Sequence, residues 1–448
     1  MGKKQAAQWP PAGRGRFMRE TETPVLFTNV RLLDPLSGLD GRGYLLVAEG
    51  RIAALGEGEA PTGLLPADGQ EIDGQGGWLT PGLIDLHVHL REPGDEHKET
   101  IASGTAAAAA GGFTAVACMP NTRPVNDSPA VTGQILAAAA TAAARVYPVG
   151  AISLGSQGET LAPIGEMATA GIRAVSDDGC PVSNSQLLRR ALEYAGDHNL
   201  LLISHPEELT LSRNGVMNEG ATSTRLGLRG IPRVAEEIMI YRDLALAEYT
   251  GRPLHLAHVS TAGAVELIRR AKARGVEVTA ESAPHYFSLT EEAVGDYDTR
   301  AKMNPPLRTA ADVAAIKAAL ADGAIDAIAT DHAPHSVLEK EVEFDLAANG
   351  IIGLESALPL SLVLVREGVI TPLRLVELLS SNPARILGVA GGRLAVGEVA
   401  DLTLIDPERK FIFKAESLTS RSRNSPFLDW PMEGKAILTM LAGRITHR

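Results

Sequence analysis

The sequence predicts an α/β fold: a (β/α)8 TIM-like barrel carrying a small β-sandwich domain built from both termini. Three observations carry that prediction. Apolar strand-like runs alternate with helix-like stretches eight times through the middle of the chain. Residues with metal-ligand chemistry fall at the ends of those runs, and strand-and-turn patterning without helices is confined to the two ends of the chain.

At 448 residues and 45% hydrophobic composition, the chain can bury one large barrel core and a smaller second one. Met1 to Glu22 mix Lys, Arg, Gln, Pro and Gly without an apolar centre, so residues 1–22 are expected to be a disordered extension, with Met18 as an alternative start. From Val25 short apolar runs follow one another: Val25 to Phe27, Val30 to Leu33, Tyr44 to Ala48 and Arg51 to Leu55. A similar register returns only at Ala400 to Asp406 and Ala436 to Ile445. The economical arrangement pairs residues 23–80 with 393–448 in one composite β domain and inserts a barrel over 81–392.

Eight candidate barrel strands lie around Ile84 to His89, Phe113 to Met119, Val146 to Ile152, Ile172 to Ser176, Leu200 to His205, Leu254 to Val259, Val276 to Glu281 and Ala324 to Asp331. Helical patterns fill the gaps at Glu99 to Ala110, Gln186 to Asp197, Ala235 to Tyr249 and Ala262 to Arg274. The Ala-rich stretch Ala106 to Ala110 reads as packing, and Gly111-Gly112 as a helix stop.

The polar residues fall at one end of this pattern. His87 and His89 close the first strand, on one face because strand side chains repeat every second residue. Asn121 follows the second strand, Asp177 and Asp178 the fourth, and His285 the seventh; His205, His258 and Asp331 end the fifth, sixth and eighth. In a barrel those ends meet at the C-terminal mouth, where active sites are assembled from distant residues. His87, His89, Asp178, His205, His258 and Asp331 make six N/O ligands, too many for one tetrahedral zinc and suited to two cations sharing a carboxylate. Asp331, beside His332, is the natural proton shuttle. Other histidines have plainer readings: His97 and His198 solvated, His255 packing, His285 structural or supporting, His332 supporting Asp331.

Composition narrows the class further. A formal charge of −12 with no long Lys/Arg run argues against nucleic acid or an anionic membrane as partner. Two cysteines, Cys118 and Cys180, make no disulfide framework and fit a reducing compartment, and no apolar run reaches spanning length. A cytoplasmic protein acting on a small molecule is expected. No Gly-Lys-Ser/Thr phosphate loop is present, so nucleotide hydrolysis has no support.

Several stretches together carry a resemblance. His87-Val88-His89-Leu90-Arg91-Glu92-Pro93-Gly94, Cys118-Met119-Pro120-Asn121-Thr122, Ser176-Asp177-Asp178-Gly179, His258-Val259-Ser260-Thr261, Lys302-Met303-Asn304-Pro305-Pro306-Leu307-Arg308 and Ala329-Thr330-Asp331-His332-Ala333-Pro334-His335 resemble the long bacterial form of dihydroorotase, in the amidohydrolase superfamily. The likeness runs from about Phe27 to Ile445. It implies zinc, as two ions or one: His87, His89 and Asp331 on the first, Asp178 shared, His205 and His258 on the second, with Asp177 as the alternative bridge. It also implies substrate contacts from His89, Arg91, Asn121, Asn304 and His335, with backbone contacts from Asn349 and Gly350. Arg91 offers a planar fork suited to a carboxylate.

The reaction so implied is the reversible hydrolysis of (S)-dihydroorotate to N-carbamoyl-L-aspartate, a step of pyrimidine synthesis, by metal-activated hydroxide with Asp331 moving the proton. A homodimer and an association with aspartate transcarbamoylase belong to the same expectation. Two departures stand out. Gly171 to Asp178 offers no lysine for the carboxylated-lysine bridge of many superfamily members, and Ala348-Asn349-Gly350 stands where Pro-Phe-Gly is expected in the loop over the substrate. The competing readings are another cyclic-amide hydrolase, allantoinase or hydantoinase, and a non-catalytic scaffold for aspartate transcarbamoylase.

Overall fold

A computed structural model describes residues 23–448; the extension expected over 1–22 and the alternative start at Met18 lie outside the described residues. The middle of the chain forms eight parallel strands: β1 (Leu83–Val88), β2 (Phe113–Cys118), β3 (Arg145–Gly150), β4 (Ala174–Val175), β5 (Leu201–Ser204), β6 (Leu254–Leu256), β7 (Val278–Ser282) and β8 (Ala327–Ile328). Each pairs with the next in chain order. The ring is closed just beyond β8, where Val88 bridges His332 and His89 N donates to His332 O at 2.8 Å. Asp85 fastens the same seam, its Oδ1 accepting from Thr330 N at 3.0 Å and from His87 N at 3.1 Å.

All eight expected strands are present; most end one or two residues before the expected position, and two end three residues early for a visible reason. β6 ends at Leu256 rather than Val259, and β8 at Ile328 rather than Asp331. His258 and Asp331 have φ of 37° and 48°, in the left-handed region where a strand ladder cannot continue. The register of β1 against β2 slips between Asp85 and Val88, a bulge of the kind that re-aims side chains. Leu86 thereby joins the inner cluster of Ala117, Met119, Val149, Ala174 and Ile203, while His87 turns into the mouth.

Helices occupy the expected gaps: Ile101–Ala110, Ser185–Asp197, Val234–Thr250 and Ala262–Ala273. Thr100 and Thr261 cap the first and last of these, their hydroxyls accepting from Ser103 N at 3.1 Å and Ala264 N at 3.2 Å. Ala107, Ala108 and Ala109 are fully buried, in keeping with the packing role read from the Ala-rich run.

The ends of the chain combine in one eight-stranded mixed sheet. Its order runs Arg444–His447, Pro431–Leu441, Leu402–Ile412, Trp78–Pro81, Val25–Asp34, Leu39–Ala48 and Arg51–Glu57, with Gln70–Asp73 beside Val25–Asp34. The sheet folds back on itself: Ile52 N donates to Glu398 O and Ala400 N to Gly50 O, both at 2.9 Å, which ties the Arg51–Glu57 edge to the chain entering Leu402–Ile412. Phe27, Leu32, Leu45, Ile52, Leu402, Leu404 and Met440 form its separate core. Thr403 and Thr439 hydroxyls donate to Gly112 O (2.6 Å) and Ala109 O (2.7 Å), fixing the sheet to the barrel.

Candidate metal centre

The six side chains singled out in the sequence meet at the barrel mouth, all buried. Asp178 Oδ1 lies 3.3 Å from His87 Nε2, 3.4 Å from His205 Nδ1 and 3.6 Å from His258 Nε2, and its Oδ2 lies 3.5 Å from His89 Nε2. Asp331 Oδ1 faces His89 Nε2 at 3.1 Å and His87 Nε2 at 3.6 Å. Ligand atoms of His87, His89 and Asp331 lie within 4.8 Å of one another, as do those of His87, Asp178 and His258. Asp177 turns away: its carboxylate accepts from Ile152 N (2.8 Å), Ser153 N (3.1 Å) and the Ser153 hydroxyl. Geometry therefore favours Asp178 over Asp177 at the centre of the cluster.

The surroundings fix which imidazole nitrogen faces inward. His87 Nδ1 donates to Glu281 Oε1 at 2.9 Å and His89 Nδ1 to Asn121 Oδ1 at 2.8 Å, leaving both Nε2 lone pairs aimed at the carboxylates. His87 Nε2 is buried and makes no hydrogen bond to the described residues. His205 Nε2 meets Glu207 Oε2 at 3.2 Å while its Nδ1 lies 2.8 Å from His258 Nε2. Among the described residues, the ion-pair partners of Asp178 and Asp331 are histidines alone. Converging imidazoles with buried, otherwise uncompensated carboxylates are a donor set that fits divalent cations.

Charge distribution points the same way. Burial disfavours the carboxylate of Asp178, but His87, His205 and His258 outweigh it and hold its pKa well below the usual range. Asp331 is likewise held low against burial, by His87, His89 and His258. Burial opposes protonation of His205, yet Asp178 and Glu207 raise its pKa to about 10. The mouth is thus a place where positive charge is strongly favoured. Three residues there, Arg91, His258 and Asp331, have positive φ (61°, 37° and 48°), the kind of local strain that clusters at functional sites.

The expected substrate residues ring this cluster. Arg91 is half-buried: its Nε donates to Pro334 O at 3.2 Å and a terminal nitrogen lies 3.4 Å from His335 Nε2. His335 Nε2 also meets Asn349 O at 2.8 Å. Asn304 Nδ2 donates to Glu207 Oε2 at 3.0 Å, and Asn121 Nδ2 lies 3.4 Å from Asp178 Oδ2. Gly350 has φ of 119°, and a Cβ on it would stand 2.6 Å from that of Ala333, so only glycine fits.

Some readings need correction. His332 does not brace the Asp331 carboxylate: its Nδ1 accepts from Gly353 N at 3.1 Å and its Nε2 lies 3.4 Å from Glu99 Oε2, so it braces the barrel seam. His255 is more than packing, since it lies 3.2 Å from Glu281 Oε2 and 2.8 Å from Thr279 Oγ1. Glu281 was passed over although it closes an expected strand. Burial raises its pKa, but His255 and His87 outweigh that and bring it to about 2, so it stays a carboxylate beneath His87. Glu207, two residues past His205, and Asn424, in the C-terminal segment, were also missed. Asn424 Nδ2 donates to Ala333 O (2.9 Å) and Gly350 O (3.1 Å), and its Oδ1 accepts from His335 N (3.1 Å).

A closed parallel barrel with histidines and aspartates gathered at its C-terminal mouth defines the class as an amidohydrolase-type enzyme. Comparison with known proteins agrees: residues 76–264 match the family model described as "Dihydro-orotase-like", and 225–447 the one described as "Amidohydrolase family". The dihydroorotase of Syntrophotalea carbinolica is 58% identical over 425 residues, 95% of this chain and 99% of that one. That of Desulfotalea psychrophila is 62% identical over 372 residues, 83% and 88% of the two chains. Among solved structures, an L-hydantoinase from Arthrobacter aurescens superposes with a TM-score of 0.84 at 27% identity, over 95% of this chain and 96% of that one. The chain belongs to the dihydroorotase family of the amidohydrolase superfamily.

Proposed function

We propose that this chain catalyses the reversible hydrolysis of (S)-dihydroorotate to N-carbamoyl-L-aspartate. The observation that carries the reading is the meeting of His87, His89, Asp178, His205, His258 and Asp331 in one buried cluster beside the Arg91 guanidinium, with a neutral His335 next to it. His87, His89 and Asp331 would hold one zinc, His205 and His258 a second, with Asp178 between them. When bound, zinc supplies a water acidic enough to act near neutral pH and polarises an amide carbonyl.

The residues divide the remaining work. Arg91 offers its fork to the substrate carboxylate, with His335 and Asn304 beside it and the backbone of Asn349 and Gly350 closing the same side. Asn121 and Glu281 hold His89 and His87 in the tautomers whose Nε2 faces inward. Asp331 accepts the proton as the water oxygen bonds to the ring carbonyl carbon, then delivers it to the ring nitrogen as the carbon–nitrogen bond breaks. Running backwards, the same transfers close the ring. Ala348 in place of the expected proline and Asn349 in place of phenylalanine leave the backbone contacts of this loop and remove an aromatic side-chain contact with the substrate.

We extend the reading to a cytoplasmic homodimer associating with aspartate transcarbamoylase. No helix among the described residues is long and apolar enough to cross a membrane. The test is metal content per chain measured beside turnover. Protein reconstituted with zinc is expected to hydrolyse dihydroorotate and leave hydantoin largely untouched, and chelation should abolish turnover. Preference for hydantoin would favour the other cyclic-amide hydrolases, and failure to bind metal would favour a scaffold.

A further inference from the structure

Lys340, at the end of the short helix Val337–Lys340, is 3% exposed, and no carboxylate of the described residues lies within ion-pair distance of it. Its neighbour Glu339 is engaged elsewhere, with Lys98 Nζ at 2.7 Å. The Lys340 ammonium points at three backbone carbonyls instead: Ala348 O at 2.7 Å, Lys302 O at 3.2 Å and Gly350 O at 3.2 Å. An ammonium has three N–H donors and no acceptor, so the count of donors and acceptors matches. Burial, helped by the nearby Lys302 ammonium, lowers the Lys340 pKa to about 7, and the three carbonyls favour its protonated form.

The carbonyls belong to two segments distant in sequence. Lys302 precedes Asn304 by two residues, while Ala348 and Gly350 flank Asn349. Lys302 O accepts a second hydrogen bond from Gly350 N at 3.0 Å, so the two segments touch directly, and Lys340 spans the junction. Gly350 O also accepts from Asn424 Nδ2, and Asn349 O meets His335 Nε2. Both sides of the substrate corner are therefore referred to one buried amino group.

We propose that Lys340 is a positioning residue for substrate recognition, clamping the 302–304 segment to the 348–350 loop through three carbonyls and so setting the place of Asn304, Asn349 and Gly350. This rests on the reading of those residues as substrate contacts. The ammonium touches neither the metal cluster nor the reacting atoms, so its effect falls on binding rather than on the chemical step.

The experiment compares zinc-loaded wild type with Lys340→Met and Lys340→Arg, reading KM and kcat for dihydroorotate, zinc per chain, and hydrogen exchange of the Gly350 amide. Lys340→Met is expected to raise KM by roughly tenfold or more, the size that follows from losing hydrogen bonds to a charged group, with kcat and zinc content changed much less. Gly350 amide exchange should accelerate, and Lys340→Arg should recover part of the KM. A folded, zinc-loaded Lys340→Met with wild-type KM overturns the clamp, as does a loss of kcat and zinc without a change in KM. If Lys340→Met does not fold, Lys340→Gln, which keeps two donors, is expected to show an intermediate KM, and an unchanged one overturns the proposal. If wild type fails to act on dihydroorotate, the parent reading falls, and Gly350 exchange alone decides: faster exchange in the variant supports the clamp and unchanged exchange overturns it.

Discussion

Asp331 combines three properties in one side chain: it faces two imidazoles, it sits at a left-handed backbone position, and its carboxylate is held ionised against burial. A group so placed can hold a cation and move a proton. Asp331→Asn keeps the shape and removes the basicity, so kcat is expected to fall by at least about 10² to 10⁴, the general-base share alone. Steady-state kinetics with zinc measured in parallel checks this, and near-wild-type turnover would contradict the role. Glu281 works one step further out. Because it fixes the His87 tautomer, Glu281→Gln should weaken zinc affinity by about 10- to 100-fold, read by competition with a chromophoric chelator. Unchanged affinity would mean that the His87 proton is placed by something else.

The segments between strands and helices decide how precisely the proposed substrate corner is held. The loop from Ala333 to Gly350 is tied at its two ends by Asn424, a residue from the segment between Leu402–Ile412 and Pro431–Leu441. Asn424→Ala removes three of these hydrogen bonds without touching the cluster. It is expected to raise KM for dihydroorotate several-fold and to lower thermal stability by about 1–3 kcal/mol, the cost of leaving buried partners unsatisfied. Zinc content should not change; if zinc is lost with the KM, the loop and the metal centre are coupled more tightly than these contacts imply.

At the scale of the whole molecule, the gathered histidines make stability depend on acid. His285 is buried with its Nε2 unpartnered among the described residues, and burial takes its pKa down from 6.5 to about 4. Between those values the unfolded chain binds a proton that the native chain does not, so this contribution is intact above pH 6.5 and lost as pH falls towards 4. The loss amounts to about 3 kcal/mol at most, from the 1.36 kcal/mol carried by each pKa unit. Denaturant melts across that range should show a shallower acid limb in His285→Gln than in wild type. Parallel acid limbs would mean that His285 keeps its ordinary pKa in the fold.

Eight strands and their intervening helices were legible because apolar periodicity follows from local geometry, and the His-x-His pair because strand side chains repeat every second residue. Even the gathering of the six histidine and aspartate side chains could be read, since a barrel brings its strand ends to one mouth. The preference for Asp178 over Asp177 was already readable from the resemblance, whereas the service of Glu281 and Glu207 beneath the imidazoles, and the reach of Asn424 and Lys340 to the loop beside Asn349, were decided by tertiary structure alone. Those roles depend on hydrogen bonds between atoms up to 194 residues apart, as between His87 and Glu281, and no local pattern encodes which buried polar group will find which partner.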